Sequence, residues 1–172
     1  MSYLRVALTN LGKYNEGELV FKWLDLPATD EEIEQAFKSI GVAEDTEYEE
    51  YFITDYETDI DGLKVGEYEN LSALNEVMGE VDALSDYEIE EVQAIMECQG
   101  VTIAEAIEIQ QEGEFIYYSG VHSYTELAKM FVGEGLLGEI PENLKYYIDY
   151  EAIGRDLKYN YTQTQNGFLS VA

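Results

Sequence analysis

The stretch LLGEIPENLKYYIDYEAIGRDL, Leu136–Leu157, is the least ambiguous folding signal in the chain. Gly138 ends the preceding element, and Pro141 suits the first turn of a helix, where its missing N–H costs nothing. Gly154 is expected at a bend or at a close approach of two backbones. Apolar residues recur at helical spacing: Leu144, Tyr147, Ile148, Ile153 and Leu157. The stretch therefore predicts an amphipathic helical hairpin that packs against the rest of the protein.

Residues 1–70 combine strand and helix patterns. Three β-prone runs, at residues 3–8, 19–24 and 51–56, predict three strands, and Trp23 is expected in the core. Between the second and third runs, Thr29 and Glu32 form a capping box that opens a helix ending at Gly41. We expect a small antiparallel sheet with one helix.

Residues 71–112 change to helical periodicity. Ser85 with Glu88, and Thr102 with Glu105, form capping boxes that open the second and third of three helices. The three apolar stripes are Leu71, Leu74, Met78 and Val81, then Ile89, Val92 and Met96, then Ile103 and Ile107. None of these helices is long enough to be stable alone, so they are expected to pack as a short helical bundle.

Residues 113–172 are mixed. Phe115–Tyr118 predict a strand, Ser123–Phe131 a helix, and Asn166-Gly167 a hairpin between two strands, since Asn-Gly is a strong hairpin signal. The chain is therefore expected to be α+β and to form three small domains, residues 1–70, 71–112 and 113–172.

The net charge is −28, from 37 acidic and 9 basic residues. The three expected domains hold 18, 11 and 8 acidic residues against 5, 0 and 4 basic ones. Such a surface repels nucleic acid and anionic membranes and attracts a protein with a basic groove. A basic protein is therefore the expected partner, with no binding to nucleic acid or to a membrane.

The acidic residues recur along helix faces without basic residues between them. No Lys or Arg occurs from Val65 through Ala128, although each like-charge pair one turn apart costs roughly 0.2–0.5 kcal/mol. At one charge per 1.7 Å of duplex axis, 28 charges correspond to about 14 base pairs of DNA. Imitation of phosphate rows explains this pattern, and a merely solubilising acidic surface is the alternative.

Residues suited to catalysis are sparse. His122 is the only histidine and Cys98 the only cysteine, no serine lies in a nucleophile-elbow sequence, and no glycine-rich phosphate loop occurs. The Glu57, Asp59, Asp61 series resembles the start of a calcium loop, but Tyr68 replaces its essential glutamate. We expect no enzymatic activity, no cofactor and no metal. With no secretory signal and no long apolar run, the protein is expected in the cytoplasm.

Three stretches resemble one protein family. Leu136–Leu157 is similar to the antirestriction motif of the ArdA antirestriction proteins, and GKYNEGELVFKWLDL (Gly12–Leu26) and YEEYFITDYE (Tyr48–Glu57) agree with the same family. The resemblance implies an inhibitor that mimics B-form DNA and occupies the DNA-binding groove of type I restriction-modification enzymes, protecting mobile DNA that enters a bacterial host. It also implies an elongated, curved homodimer in which the first two domains form an acidic arm and the third makes the dimer contact.

On this interpretation, we hypothesise two groups of functional residues. The phosphate surrogates would be Glu76, Glu80, Glu88, Glu91, Glu105, Glu108 and Glu112, extended by Asp55, Glu57, Asp59 and Asp61. The dimer contact or its supporting core would include Phe115, Tyr117, Leu144, Tyr146, Tyr147, Tyr150, Gly154 and Arg155. Two other classes of function stay open on the residues alone: a carboxylate-based, metal-dependent hydrolase, and an acidic adaptor or chaperone for another basic protein.

Overall fold

The computed structural model describes residues 3–171 and has the predicted α+β class. The strands are β1 (Leu4–Asn10), β2 (Phe21–Leu26), β3 (Tyr51–Thr58), β4 (Phe115–Ser119), β5 (Thr162–Gln163) and β6 (Gly167–Val171). The α-helices are α1 (Leu11–Asn15), α2 (Asp30–Ile40), α3 (Leu71–Asp82), α4 (Asp86–Gln99), α5 (Ile103–Glu112), α6 (Tyr124–Gly133) and α7 (Tyr150–Leu157). A 3₁₀ helix covers Glu142–Tyr147. Between residues 3 and 171, no helix is long and apolar enough to cross a bilayer.

The backbone forms two compact units, the first ending at Ile89 and the second beginning at Glu90. This division falls within α4. The three helices predicted for residues 71–112 are present as α3, α4 and α5, while the division of the chain into three domains stays a prediction.

The first unit contains an antiparallel sheet in the order β2-β1-β3. One face of this sheet is the core, where Leu4, Val6 and Leu8 of β1 are at most 1% exposed. The predicted sheet and helix α2 are confirmed, but a second helix, α1, follows β1 and was not predicted. The buried Asn10 causes it: its side chain accepts the N–H of Lys13, which caps α1, and donates to the carbonyl of Ile40 at 3.0 Å.

The prediction that Trp23 lies in the core is wrong. Trp23 is only half-buried, and the β2 residues that enter the core are Leu24 and Leu26. These two leucines pair with Val6 and Leu4 and share their face of the sheet, so Trp23 must project from the other face. The alternation of side chains between the two faces of the sheet, rather than side-chain size, decides which residue of β2 is buried.

Local capping signals were predicted correctly. All three capping boxes are present, and α2 and α5 end at Gly41 and Gly113, which adopt the left-handed conformation. Each box pairs a Ser or Thr with a Glu three residues later, so it needs no long-range contact.

The second unit contains an antiparallel sheet in the order β4-β6-β5, packed with α6 and α7. Its core cluster consists of Leu127, Ala128, Phe131, Leu157 and Phe168. The predicted hairpin is confirmed, but its loop is residues 164–166 and Gly167 is the first residue of β6.

The Leu136–Leu157 stretch packs only in its second half, contrary to the prediction of a packed helical hairpin. Pro141 precedes the 3₁₀ helix, in which Leu144 is 50% exposed and Tyr147 is 84% exposed. Ile148 then returns to an extended conformation, so this turn does not continue into α7. A short 3₁₀ helix has weak hydrogen-bond geometry and does not propagate. Within α7, Leu157 and Gly154 are buried as expected.

Candidate functional site: an acidic surface

On α3, Glu76 and Glu80 lie one turn apart and are both exposed. The opposite side of α3 carries Leu71, Leu74, Met78 and Val81, all buried. Because the apolar stripe fixes the rotation of the helix about its axis, the two carboxylates must face water. They are therefore free to meet a basic partner.

The same arrangement occurs on α5, where Glu105, Glu108 and Glu112 are exposed and Ile103, Ala106 and Ile107 are buried. Helix geometry places these carboxylates along one face at spacings of roughly 5–6 Å. That spacing is similar to the separation of neighbouring phosphates along a strand.

Glu105 also caps the N-terminus of its own helix. Its carboxylate accepts the backbone N–H and the hydroxyl of Thr102, both at 2.8 Å. These two hydrogen bonds hold the pKa of Glu105 below its usual value. The group stays ionised into acidic solution, which suits a fixed negative charge.

Glu88 and Glu91 are less available than the sequence suggested. Glu88 is half-buried and accepts the backbone N–H and hydroxyl of Ser85 at 2.8 and 2.7 Å. Glu91 is also half-buried and accepts the side-chain amide of Gln110 at 3.1 Å. Part of each carboxylate is therefore already in use.

Asp55 and Glu57 lie on the face of the first sheet that is opposite the core. The register pairs Glu57 with Arg5, and Arg5 with Asp25, so these three side chains form one row across the sheet. Arg5 lies 3.3 Å from the Glu57 carboxylate. Asp25 is exposed and belongs to the same surface, but sequence analysis missed it because only the β1–β2 register reveals its neighbours.

Asp59 and Asp61 follow β3 in a turn and are exposed. Within residues 3–171, no three acidic, histidine or cysteine side chains come together in a geometry suited to a metal ion. These two aspartates are exposed and follow the acidic end of β3 in the chain.

Two acidic residues of α4, the half-buried Glu90 and the exposed Glu97, bond to other elements of the second unit, which the sequence did not predict. The Glu90 carboxylate accepts the hydroxyls of Tyr117 and Ser119 at 2.7 and 2.6 Å. Burial, and then the hydrogen bond to Glu90, raises the pKa of the Tyr117 hydroxyl. Seven residues on, Glu97 accepts the backbone N–H of Gln165 at 2.9 Å. These carboxylates attach α4 to β4 and to the hairpin loop, so they serve structure.

The residues assigned to the dimer contact divide by exposure. Tyr117 and Gly154 are buried, and Phe115 and Tyr150 are half-buried. Tyr146, at 93%, is the most exposed of the group, and Leu144, Tyr147 and Arg155 are also exposed. The first four residues support the fold, and the other four are available for contacts.

Comparison with known protein families gives a match. The family model described as antirestriction protein (ArdA) matches residues 6–170, which is nearly the whole chain. No curated protein matches the chain at a significant level.

Proposed function

Because the chain belongs to the ArdA antirestriction family, we propose that it inhibits restriction by mimicking B-form DNA in the DNA-binding groove of a type I restriction-modification enzyme. The observation that supports this most directly is the pair of exposed carboxylate rows on α3 and α5, in a region without any lysine or arginine from Val65 through Ala128. A basic groove evolved to grip phosphates would attract these rows.

The proposed contact residues are described for each unit by itself. In the first unit they lie on α3, in the turn after β3 and on the face of the sheet opposite the core, called the open face: Glu76, Glu80, Asp25, Asp55, Glu57, Asp59 and Asp61, with Glu88 half-buried. In the second unit they lie on α5: Glu105, Glu108 and Glu112, with Glu91 of α4 half-buried. The protein acts in the cytoplasm of the bacterial host, where it protects incoming mobile DNA, and it needs no cofactor and no catalysis.

We further propose that the protein is a homodimer and that the 3₁₀ helix contributes to the contact between the two chains. Leu144 and Tyr147 lie three residues apart and share one side of this helix. Both are at least half exposed, and with the exposed Tyr146 they make three exposed large apolar side chains within residues 144–147. A contiguous group of exposed apolar side chains marks an interaction site more often than scattered ones do. Residues 113–172 also hold the least net charge, so two copies repel each other least there.

The test is competition. A purified type I enzyme is bound to its labelled target duplex, and the protein is added at about 0.05, 0.15 and 0.5 M ionic strength. We expect displacement of the DNA at low salt and weaker displacement as screening increases. Absence of displacement at the lowest salt would contradict the proposal.

Two double variants with the same change in net charge test whether inhibition depends on where the carboxylates lie. Glu108→Lys with Glu112→Lys, on α5, should weaken inhibition about 10-fold or more. Glu31→Lys with Glu34→Lys makes the same change on α2, outside the proposed surface, and should have a smaller effect. Single Glu→Gln changes on α5 should alter affinity by about twofold or less, since exposed charges contribute little individually.

A further inference from the structure

Aromatic side chains lie at one end of the open face of the first sheet, and imitation of DNA phosphates by carboxylates does not explain them. The strand register forms three rows across this face: Phe21–Thr9–Phe52, Trp23–Ala7–Asp55 and Asp25–Arg5–Glu57. An antiparallel sheet with one face on the core usually presents polar residues on the other face. Here one end of that face is acidic and the other is aromatic.

Two more rings extend the aromatic end. Tyr14 contacts the Phe52 ring edge-on, with centroids 5.0 Å apart, and Tyr68 stacks on it at 6.1 Å. Phe52 is covered by these contacts, whereas Phe21 is 46% exposed, Tyr14 50% and Tyr68 73%. We call Tyr14, Phe21 and Tyr68 the aromatic patch. Tyr14 and Tyr68 lie against the buried Phe52, and Phe21 lies in the same row across Thr9. Three partly exposed rings at one end of this face require a reason other than core packing.

The face already binds one guanidinium group. The Arg5 guanidinium lies 4.5 Å from the centroid of the Trp23 ring and 3.3 Å from the Glu57 carboxylate. This arrangement uses the negative face of an aromatic ring together with a carboxylate, which is how cation–π recognition of arginine works. The rings of the aromatic patch have no such partner among the cation–π contacts of residues 3–171.

Exposed carboxylates adjoin the aromatic patch in the sequence, although Glu16 accepts the Tyr48 hydroxyl at 2.8 Å and Glu69 accepts the Gly66 N–H at 3.1 Å. Tyr68 lies between Glu67 and Glu69 in the sequence, and both are exposed. Tyr14 is followed by Glu16 and Glu18, which are also exposed. A partner that fits this surface must be cationic and must tolerate contact with flat apolar rings. Arginine meets both conditions better than lysine, because its guanidinium is planar and weakly hydrated.

We propose that the aromatic patch binds arginine side chains on the DNA-binding surface of the basic partner. This inference rests on the proposed function for the identity of the partner, but not for the chemistry of the contact. DNA presents phosphates to such a surface and loses affinity steeply with salt. Ring–guanidinium contacts depend less on salt than exposed ion pairs do, so the patch helps an inhibitor to compete with DNA when charges are screened.

The inference is first tested without the restriction enzyme. Octa-arginine and octa-lysine peptides are titrated into the full-length protein and observed by NMR. We expect tighter binding of octa-arginine, with shifts at Phe21 and Tyr68. The double variant Phe21→Thr with Tyr68→Ser should reduce the preference for arginine about 5- to 30-fold, as two cation–π contacts predict. Tyr159→Ser, at an 88% exposed tyrosine outside the patch, should leave the preference unchanged.

The second test uses the type I enzyme. The double variant should compete with DNA less well by a similar factor at every salt concentration, so the salt dependence of inhibition stays that of the wild type. The thermal unfolding curve of the double variant, compared with that of the wild type, shows whether loss of folding explains any change.

Several outcomes would overturn the inference. Equal affinity for both peptides, or an unchanged preference for arginine in the double variant, would overturn it. The proposed function would still stand in that case if the wild-type protein displaced DNA from the type I enzyme. A change in oligomeric state with unchanged peptide binding would instead identify the patch as a contact between two copies of this chain. Wild-type protein that prefers octa-arginine but never displaces DNA would refute the proposed function alone.

Discussion

At the scale of single residues, Gly167 is required for the close approach of β6 to β4. A Cβ atom at this position would lie 2.2 Å from the carbonyl oxygen of Tyr118, a distance that only a backbone shift can relieve. Asn166-Gly167 was predicted as the turn of a hairpin. Gly167 is instead the first residue of β6, and the absence of a side chain there allows β6 to pack against β4.

We predict that Gly167→Ala lowers the free energy of unfolding by about 2–3 kcal/mol, as overpacking does. Gly79→Ala is the matched control, because Gly79 is an exposed residue of α3 with no atom within 4 Å of its Cβ position. Helix propensity should make that change stabilising by about 0.5–1 kcal/mol. Urea denaturation measures both, and equal effects of the two changes would refute the packing argument.

Also at this scale, the Thr102–Glu105 capping box should respond to pH. The pKa of Glu105 is lowered in the folded state by its hydrogen bonds to Thr102. The resulting stabilisation is therefore complete above the ordinary carboxyl pKa of 4.5 and is lost as the pH falls below it. Thr102→Ala should cost about 1 kcal/mol at neutral pH, and part of this cost should disappear in acid, because the hydroxyl bond to the Glu105 carboxylate depends on its charge whereas the cap of the Glu105 N–H does not.

Thermal unfolding of both proteins from neutral pH to acid measures this difference. Ser72→Ala, at an exposed position of α3, controls for loss of a hydroxyl without loss of a cap. A cost of Thr102→Ala that did not change with pH would show that the bond between the Thr102 hydroxyl and the Glu105 carboxylate contributes nothing.

At the scale of elements, α4 uses its carboxylates differently from α3 and α5. Glu90 and Glu97 lie seven residues apart on one face and bond to β4 and the hairpin loop. Charge count alone makes these residues look like further phosphate surrogates. Their bonding partners show instead that they hold the second unit together.

We predict that Glu90→Ala lowers the free energy of unfolding by about 2 kcal/mol, because hydroxyl groups lose a charged acceptor. Glu108→Ala on α5 is the matched control, since it removes one exposed helical glutamate and should change stability by about 0.5 kcal/mol or less. If the two variants were equally stable, the inward role of Glu90 would be refuted. Inhibition of the type I enzyme, measured below the unfolding transition, should depend on Glu90 no more than on any single surface charge.

At the scale of the whole molecule, the charge of −28 opposes association of two copies. Self-association therefore needs apolar contacts in the least acidic part of the chain, and the 3₁₀ helix offers Leu144 and Tyr147. Burial of one such side chain contributes roughly 1.5–3 kcal/mol. The proposed dimer should also tighten with salt, because screening reduces the repulsion.

We predict that Leu144→Ser with Tyr147→Ser raises the dimer dissociation constant about 100-fold or more, as measured by sedimentation equilibrium. Tyr159→Ser controls for loss of an exposed tyrosine elsewhere in the second unit. A monomeric wild-type protein at all salt concentrations, or a variant that dimerises normally, would refute this contact.

The sequence by itself determined the features that depend on neighbouring residues. Capping boxes at Thr29, Ser85 and Thr102 and the left-handed glycines set helix limits, because their hydrogen bonds join residues within one turn. It also determined the charge, the α+β class and the family, since composition and motifs are properties of the chain.

Only the tertiary structure decided which side chains face water. Strand register turned Trp23 and Asp25 away from the core, and the packing of α4 against β4 directed Glu90 inward. Leu144 and Tyr147 stayed exposed although their spacing predicted burial. The physical reason is that exposure depends on contacts between residues distant in sequence, and a local pattern is compatible with more than one such arrangement.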